Sequence, residues 1–282
     1  MTATSEQALS PAAYQCIIGL VYEHSRIRLG ADKQALVTGR LAKRLRALGL
    51  ADYDAYCSLL KSPAGKEELG ALVDALATNH THFFREVEHL NYLRDHILPE
   101  FMLPQVGLAR EPFRLWSAAS SSGEEPYTLA IVLAEFVRTH GGMEWLIEGS
   151  DISTKVLAKA REAIYETEGV KVPHPDLLSR YFQQGTGENS GLYRVKEQLR
   201  RQVKFHHLNL LQPHYPVAPR QHVIFCRNVM IYFDTPTQQE LVTKLIAHLV
   251  PGGYLIVGAS ESLLGVKHPL KSVQPAIYRK PK

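Results

Sequence analysis

The chain has 282 residues, and 32 basic against 28 acidic side chains give a net charge of +4. Apolar residues make up 45% and charged residues 21% of it, which is typical of a globular protein and unlike a disordered or fibrous one. No apolar run reaches the ~20 residues that cross a bilayer, and the polar start, Met1–Ser10, is no secretory signal. Cys16, Cys57 and Cys226 fit neither a disulfide framework nor a zinc ribbon, so we expect a cytoplasmic protein without membrane insertion.

The first 90 residues are predicted to be entirely helical, because apolar residues recur there at a period of about 3.6. Helices are expected at 12–23, 32–48, 52–61 and 66–77. The region from Arg26 to Arg46, which includes most of the second helix, is rich in positive charge. It contains seven basic residues and one acid. Four of these residues fall on one arc beside the apolar stripe: Lys33, Arg40, Lys43 and Arg44. The arc is either an ordinary solvated helix face or a surface that attracts an acidic partner.

After residue 112 the pattern changes to strands that alternate with helices. Strands are predicted at 113–118, 144–151, 203–208, 222–226 and 254–258, with helices at 124–139, 153–165 and 236–249 between them. This alternation is typical of a doubly wound α/β fold with a parallel sheet. Glycines at 185, 187 and 191, between two short apolar runs, predict an inserted β-hairpin. The expected organisation is therefore a helical domain at 1–90, a linker at 91–111, and an α/β domain at 112–282 with a β-subdomain at about 177–203.

The turn after the first predicted strand, Ala118–Pro126, consists mainly of small residues followed by two acids. Small side chains let a ligand approach the backbone at a helix N-terminus. Glu124 and Glu125 would repel a pyrophosphate, and neither GxGxxG nor GxxxxGK[ST] occurs in the chain. The turn therefore suits a ligand with hydroxyl donors or a positive centre. The alternative is that both glutamates only complement the helix dipole.

The second predicted strand ends in Asp151. An acid at this place in a doubly wound fold accepts hydrogen bonds from ribose hydroxyls. The alternative is a capping role for the helix that follows. Combined with the small-residue turn, Asp151 favours adenosyl ligands without phosphate.

Parts of the sequence also resemble two other kinds of site. Ala119–Gly123 approximates the GxSxG elbow of α/β-hydrolases, with Asp234 and His268 as the remaining triad members. Only helices precede it, however, and no HGGG-type oxyanion loop is present. His80 and His82 lack further ligands at a suitable spacing, so no metal site is expected.

Five ordered motifs resemble those of the CheR family of chemotaxis receptor methyltransferases. The resemblance covers nearly the whole chain after the first ten residues, and His80 and His82 occupy variable positions of the family pattern. The motifs are Thr78–Glu86 (TNHTHFFRE), Ser122–Tyr127 (SGEEPY), Ser150–Ser153 (SDIS), Phe225–Phe233 (FCRNVMIYF), and Pro251–Gly253 with Ser260–Ser262.

The resemblance implies a class I, Rossmann-like methyltransferase that uses S-adenosylmethionine, releases S-adenosylhomocysteine, and esterifies glutamate side chains of chemoreceptors. By this resemblance Asp151 would hold the ribose hydroxyls and Glu124 would lie at the first turn. The other cofactor-binding residues that it implies are Asn79, Thr81, Arg85, Asn209, Leu210, Asn228 and Val229.

The implied chemistry agrees with the residue types. A glutamate carboxylate, with an ordinary pKa of about 4.3, is ionised at neutral pH and needs no general base. The site must instead align oxygen, methyl and sulfur and exclude water. Arg85 and Tyr232 are the candidates that would orient the substrate. A stronger cation set against the substrate oxygens would stabilise the ground state more than the transition state.

The resemblance also implies partners. The Lys33, Arg40, Lys43 and Arg44 arc would dock on the acidic methylation region of a methyl-accepting chemotaxis protein. The glycine pattern resembles that of members that bind a receptor's C-terminal pentapeptide through a hairpin edge, with Gly185, Gly187, Gly191 and Arg194 as the tether. Its alternative is a plain surface hairpin.

Alternative functions are an adenosyl-binding receptor adaptor without catalysis and a nucleic-acid methyltransferase. The Asn228–Tyr232 segment lacks the prolines of amino-methylating DNA enzymes, and aromatic residues do not interleave with the basic arc. We therefore expect no nucleic-acid partner. We also expect the protein to be a monomer.

Overall fold

The computed structural model of the protein describes residues 9–103 and 111–282. The chain divides into two compact units. The residues up to Thr78 form the first, the helical unit, together with Tyr232–Thr237. Asn79–Ile231 and Gln238–Lys282 form the second, the sheet unit.

The helical unit contains, within the described residues, α1 (Pro11–Ser25), α2 (Gln34–Leu48), α3 (Tyr53–Lys61) and α4 (Gly65–Leu76). Polar caps begin two of these helices: Ser10 Oγ accepts from Ala13 N at 3.0 Å, and Asp52 Oδ1 accepts from Ala55 N at 2.8 Å. Gly49, with φ of 65°, ends α2 in the left-handed conformation. The apolar stripes meet in one core, whose fully buried members are Ile17, Val37, Leu41, Tyr56 and Leu72. The predicted helices are confirmed, although α2 begins at Gln34 after a 3-10 turn and not at Asp32.

The boundary between the units differs from the predicted one. Residues 79–103 belong to the sheet unit, where α5 (Val87–Tyr92), a π-helical turn (Leu93–Ile97) and α6 (Leu98–Phe101) follow one another. The predicted linker at 91–111 is therefore wrong for its described first part, because the apolar side chains of 93–101 are buried in the core of the sheet unit. The remainder, 104–110, lies outside the described residues.

The sheet unit is built on a mixed sheet that has seven strands in the described parts of the chain, in the order β6-β2-β1-β7-β8-β10-β9. The first five are parallel, and β10 and β9 are antiparallel additions beyond β8. The strands are β1 (Phe113–Ala118), β2 (Trp145–Asp151), β6 (Val203–His207), β7 (Gln221–Cys226), β8 (Leu249–Val257), β9 (Lys271–Gln274) and β10 (Ile277–Arg279). The doubly wound α/β class is confirmed, whereas β9 and β10 were not predicted.

Helices connect the parallel strands and cover the sheet. They are α7 (Glu124–His140), α8 (Thr154–Glu162), α9 (Asp176–Tyr181), α10 (Glu197–Arg200) and α11 (Thr235–His248). Both α7 and α8 pack against β2 and β6. Strand order reverses at β1, which pairs with β2 on one side and β7 on the other. Ligands of open α/β sheets bind at the carboxyl ends of the strands beside such a reversal.

A second, antiparallel sheet is inserted between β2 and β6. It consists of β3 (Ile164–Glu166), β4 (Phe182–Gln184) and β5 (Leu192–Val195) in the order β3-β5-β4. The predicted hairpin is therefore present, but the insertion begins earlier than residue 177. The helix predicted to reach 165 ends at Glu162, because Ala163 adopts a left-handed φ of 55° and the chain then enters β3.

Among the described residues, none of the helices combines the length and apolar character needed to span a membrane.

Candidate functional site

The turn between β1 and α7 is strained and closely packed. Ala119, Ser121 and Gly123 all have positive φ, of 63°, 49° and 97°. A Cβ on Gly123 would lie 2.8 Å from the Tyr165 hydroxyl and 2.9 Å from the Ala160 Cβ, so only glycine fits there. Non-glycine residues in this conformation cost energy and cluster at ligand sites. The turn therefore presents its backbone at the switch point of the sheet.

Asp151, at the end of β2, holds this turn in place. Its Oδ2 accepts from Ser121 N at 2.8 Å, and its Oδ1 accepts from Ser153 N at 2.9 Å. The carboxylate is nearly buried, with 7% of the residue exposed. The cap of α8 comes instead from Ser153, whose Oγ accepts from Val156 N at 3.3 Å. The Asp151 carboxylate therefore joins the end of β2 to the turn after β1 and to the start of α8.

Glu124 begins α7 and is also nearly buried. Burial raises the pKa of its carboxyl, although a hydrogen bond from Ser122 Oγ at 2.7 Å opposes the shift. A carboxylate in this state is stabilised by an approaching cation or hydrogen-bond donor.

Residues 79–86 form a segment that runs back over the β1–α7 turn; we call it the strap. The Asn79 carbonyl accepts from Ser121 Oγ at 2.9 Å, and Phe84 N donates to Thr128 Oγ1 at 3.1 Å. Thr81 is half-buried. Arg85 donates from a guanidinium nitrogen to the His80 carbonyl at 3.1 Å, and 30% of its side chain is exposed. The strap thus joins Asn79, Thr81 and Arg85 to the turn.

Asn228 and Val229 follow β7, and both are half-buried. Asn228 adopts a left-handed φ of 57°, and its side-chain amide donates to Glu86 Oε1 at 3.3 Å. Asn228 therefore contacts the end of the strap.

Asn209 and Leu210 follow β6, on the other side of β2. Leu208 N donates to the Asp151 carbonyl at 2.9 Å, which places the start of this loop at the end of β2. Asn209 Oδ1 accepts from Leu211 N at 3.0 Å, and Leu210 is buried. These contacts connect the β6 loop to Asp151.

Of the predicted cofactor-binding and catalytic residues, Tyr232 alone lies outside the sheet unit. It belongs to the helical unit, where its carbonyl accepts from Arg28 N at 3.1 Å.

Sequence reasoning missed a buried ionic network beside the strap. The Arg227 guanidinium, with 2% of its side chain exposed, lies 3.1 Å from Glu86 Oε2 and 3.0 Å from Glu125 Oε2. It also donates to the Arg85 carbonyl at 2.7 Å. Arg227 and Glu86 both lie inside quoted motifs, but nothing in a linear sequence indicated that they pair.

Glu86 itself is strongly stabilised as a carboxylate. Burial alone would raise its pKa, but the nearby His89, the charge of Arg227 and the backbone N–H of Ala259 lower it to about 2. His89 Nδ1 lies 3.2 Å from Glu86 Oε2 in a direction unsuited to a hydrogen bond. That contact is therefore electrostatic and depends on the protonation of the ring.

A second missed carboxylate, Glu261, gathers backbone donors from the loops after β7 and β8. Its Oε2 accepts from Asn228 N and from Gly258 N, both at 2.7 Å, and its Oε1 accepts from Ile231 N at 3.2 Å. Glu261 is 8% exposed.

Two of the four basic residues of the arc have partners inside the helical unit. Arg40 donates to the carbonyls of Leu76 and Ala77, both at 2.9 Å, at the end of α4. Arg44 forms a bidentate ion pair with the buried Glu68, which also accepts from Tyr56 OH at 2.7 Å.

The other two basic residues of the arc are exposed. Lys33 pairs at 2.8 Å with Asp32, which is also exposed, and Lys43 is exposed on α2.

The predicted tether residues lie in or beside the small sheet. Gly185 N donates to the Leu192 carbonyl at 2.8 Å, and the Gly191 carbonyl accepts from Thr167 N at 2.9 Å. Gly187 has a φ of 58°, and Arg194 is exposed on the central strand β5.

Comparison with known proteins identifies the family. Residues 12–77 match the model for "CheR methyltransferase, all-alpha domain", and residues 79–278 match "CheR methyltransferase, SAM binding domain". A chemotaxis protein methyltransferase of Escherichia coli is 44% identical over 92% of this chain and 87% of its own length. Chemotaxis protein methyltransferase 2 of Pseudomonas aeruginosa is 40% identical over 94% of this chain and 91% of its own length.

A solved structure of an O-methyltransferase family protein from Burkholderia thailandensis is also similar. It is 16% identical, with a TM-score of 0.35, over 91% of this chain and 57% of that one.

The groups at the sheet edge fit S-adenosylmethionine. That molecule offers ribose hydroxyls, an ammonium and a sulfonium, and it carries no phosphate. Asp151 and Glu124 supply nearly buried carboxylates, and the small residues of the strained turn let a ligand approach the backbone. Acceptors of this kind suit hydroxyl and cationic donors and disfavour phosphate. The chain belongs to the CheR methyltransferase family and is an S-adenosylmethionine-dependent methyltransferase of chemotaxis.

Proposed function

We propose that the enzyme transfers the methyl group to glutamate side-chain carboxylates in the cytoplasmic domain of chemoreceptors, as a cytoplasmic monomer. The observation that carries this proposal is the partly exposed guanidinium of Arg85 at a site edge where Glu86, Glu124 and Asp151 are acidic. Arg227, by contrast, is buried between two carboxylates. The Arg85 Nε lies 3.9 Å from Glu86 Oε1, but 30% of the Arg85 side chain is exposed, so this cation is within reach of an anionic substrate group.

The residues of the site would act by binding and orientation. The bound cofactor supplies an electrophilic methyl group on sulfur. Asp151 would accept from its ribose hydroxyls and Glu124 would lie near its cationic end, while Asn209 and Leu210 would flank the adenine. The strap would limit access of water, which favours transfer to the carboxylate. Arg85 would orient the substrate oxygen, and an ionised carboxylate needs no base to remove a proton.

Methyl transfer to a receptor fragment tests the proposal. The purified enzyme, methyl-labelled S-adenosylmethionine and a receptor cytoplasmic fragment should give label that alkali releases as methanol, as expected of a carboxyl ester. A fragment whose candidate glutamates are changed to glutamine is the control. Cofactor binding without any transfer would favour the adaptor, and alkali-stable label on added nucleic acid would favour a nucleic-acid methyltransferase.

We also propose that the basic arc of α2 docks on the acidic receptor. The internal contacts of Arg40 and Arg44 change how this should be tested. Replacing Arg44 by glutamate would place a negative charge against the buried Glu68 and destabilise the helical unit. Lys33 and Lys43, which are exposed, test the charge of the arc without this effect.

The double variant Lys33→Gln, Lys43→Gln is expected to raise KM for the receptor fragment about 2- to 30-fold, since exposed charges contribute roughly 0.2–1 kcal/mol each. The increase should diminish at high salt, because salt screens the attraction. Steady-state kinetics at two salt concentrations measure it. Lys61→Gln, an exposed lysine on α3, is the matched control. Equal KM values for the double variant and Lys61→Gln would contradict docking by the arc.

The small sheet supports a further proposal, that a receptor's C-terminal peptide adds to it as a strand. In the order β3-β5-β4 the outer strands are β3 and β4, and Gln183 and Gln184 of β4 are exposed. An outer strand can accept an added strand through its backbone groups. Tethering would raise the local substrate concentration without changing the methyl-transfer site.

Gly185→Ala is expected to abolish peptide binding while methylation of an untethered fragment persists. A Cβ at this position would lie 2.1 Å from the Asn189 carbonyl oxygen, so the β4–β5 loop must shift. Titration calorimetry with the pentapeptide measures the effect. The control is Gly169→Ala, since a Cβ at Gly169 meets nothing within 4 Å. If Gly185→Ala bound the peptide as tightly as the unsubstituted protein, the hairpin would not be the peptide-binding site.

A further inference from the structure

Two carboxylates, the buried Glu261 and the half-buried Glu86, hold Asn228 from different directions. Glu261 accepts from its backbone N–H at 2.7 Å, and Glu86 accepts from its side-chain amide at 3.3 Å. Asn228 meanwhile has a φ of 57°, a conformation that non-glycine residues rarely adopt. Such a conformation persists only where its surroundings determine it, and here the two carboxylates are those surroundings.

Each carboxylate also fixes a second part of the site edge. Glu86 ends the strap, and it accepts from Ala259 N at 3.0 Å in the loop after β8. Its partner Arg227 binds the Arg85 carbonyl at 2.7 Å. Glu261 joins the same loop, through Gly258, to Ile231 after β7. The strap and the loops after β7 and β8 are thereby connected through two acidic side chains.

The close packing at Gly258 supports this connection. A Cβ on Gly258 would lie 2.6 Å from Asn228 Nδ2 and 2.8 Å from Glu261 Oε2. The three residues therefore fit together only because position 258 has no side chain, as expected of an edge built for a defined geometry.

We infer that Glu86 and Glu261 are positioning residues for methyl transfer, which hold Asn228 and the strap in the arrangement that receives the cofactor. Neither needs to touch the cofactor, because each acts through Asn228 and the backbone around it. Displacements of about 1 Å in such a site can lower rates by about 100-fold. The inference rests on the proposed function only for its kinetic readout; binding of S-adenosylhomocysteine tests it independently.

The test uses Glu86→Gln and Glu261→Gln in the full chain. The glutamine side chain has the same shape and keeps one acceptor oxygen. Its NH2 group, however, faces donors whose hydrogen bonds the carboxylate had accepted. We expect kcat/KM for S-adenosylmethionine to fall about 10- to 100-fold in each variant. The dissociation constant of S-adenosylhomocysteine, from calorimetry, should rise by a smaller factor.

Glu135→Gln is the matched control. Glu135 accepts from Arg138, Arg180 and Tyr181, and these partners hold its pKa at about 2, as for Glu86, although burial opposes the shift. It lies on α7, three turns from Glu124. If Glu86 were merely structural, the two variants would lower the thermal midpoint alike and leave kcat/KM unchanged. We expect a kinetic defect in Glu86→Gln and none in Glu135→Gln.

Hydrogen exchange on the unsubstituted protein keeps the inference testable if a variant does not fold. Preorganisation predicts that the amides of Asn228, Gly258 and Ile231 are protected before S-adenosylhomocysteine is added. The inference would be overturned if these three amides exchanged fast without ligand and became protected only when S-adenosylhomocysteine is added. Unchanged kcat/KM in both folded variants would overturn it as well. Failure of the unsubstituted enzyme to methylate receptors, with intact ligand binding, would instead reject only the proposed acceptor.

Discussion

Replacing Asp151 by alanine is expected to weaken binding of S-adenosylhomocysteine by about 100-fold or more. Two hydroxyl hydrogen bonds to a charged acceptor contribute roughly 1.5–3 kcal/mol each, and 1.4 kcal/mol is a factor of ten. The variant also loses the acceptor for Ser121 N and Ser153 N, so the β1–α7 turn loosens. Isothermal titration calorimetry, at a temperature well below the midpoint of thermal unfolding, measures the loss of affinity.

Ser153→Ala separates the two effects. It removes the cap hydrogen bond to Val156 N, at a cost of about 1 kcal/mol in stability, and leaves the carboxylate in place. Its affinity for S-adenosylhomocysteine should match that of the unsubstituted protein. Asparagine at 151 is a poor control, because its NH2 group would face one of the two backbone donors. An Asp151→Ala affinity within threefold of the unsubstituted one would leave Asp151 with its backbone role alone.

Arg227→Met is expected to cost about 3–5 kcal/mol in the free energy of unfolding at pH 7, because breaking a buried ion pair leaves a charge uncompensated. Here Glu86 and Glu125 lose the guanidinium between them. Urea unfolding followed by tryptophan fluorescence measures the loss. Both tryptophans of the chain, Trp116 and Trp145, lie in the sheet unit and report on it directly.

The loss in free energy of unfolding caused by Arg227→Met should become smaller as the pH falls. In the unsubstituted protein the pKa of Glu86 is lowered from 4.5 to about 2, so its contribution is complete above about pH 4.5 and is lost toward pH 2. Without Arg227, one of the groups that lower this pKa is missing, so Glu86 becomes protonated at a higher pH than in the unsubstituted protein, which relieves the uncompensated charge. The difference in free energy of unfolding between Arg227→Met and the unsubstituted protein should therefore be smaller at pH 4 than at pH 7.

Arg138→Met is the control for Arg227→Met. Arg138 also pairs with a carboxylate whose pKa is about 2, but 52% of its side chain is exposed. Exposed pairs contribute roughly 0–1 kcal/mol. A deficit in Arg227→Met no larger than in Arg138→Met, or one that widens toward pH 4, would contradict the buried network.

Local patterns in the sequence were sufficient for most of the helices and for the parallel strands. Periodicity depends on neighbouring residues, so the helices of the first unit and β1, β2, β6, β7 and β8 were predictable. The short edge strands β9 and β10 were not, because their pairing with β8 carries no local signal. The predicted linker at 91–111 includes residues 93–101, whose apolar side chains complete the core of the sheet unit.

The family, the cofactor and the stretches of chain at the site edge could be predicted from the sequence, because each of them depends on contiguous motifs. Which side chains meet there followed only from the three-dimensional fold. Glu86 and Arg227 are separated by 141 residues, and Asn228 and Glu261 by 33. The fold likewise decided that Arg40 and Arg44 have partners inside the helical unit. Ion pairs and buried hydrogen bonds depend on distance in space, which residue spacing along a chain does not encode.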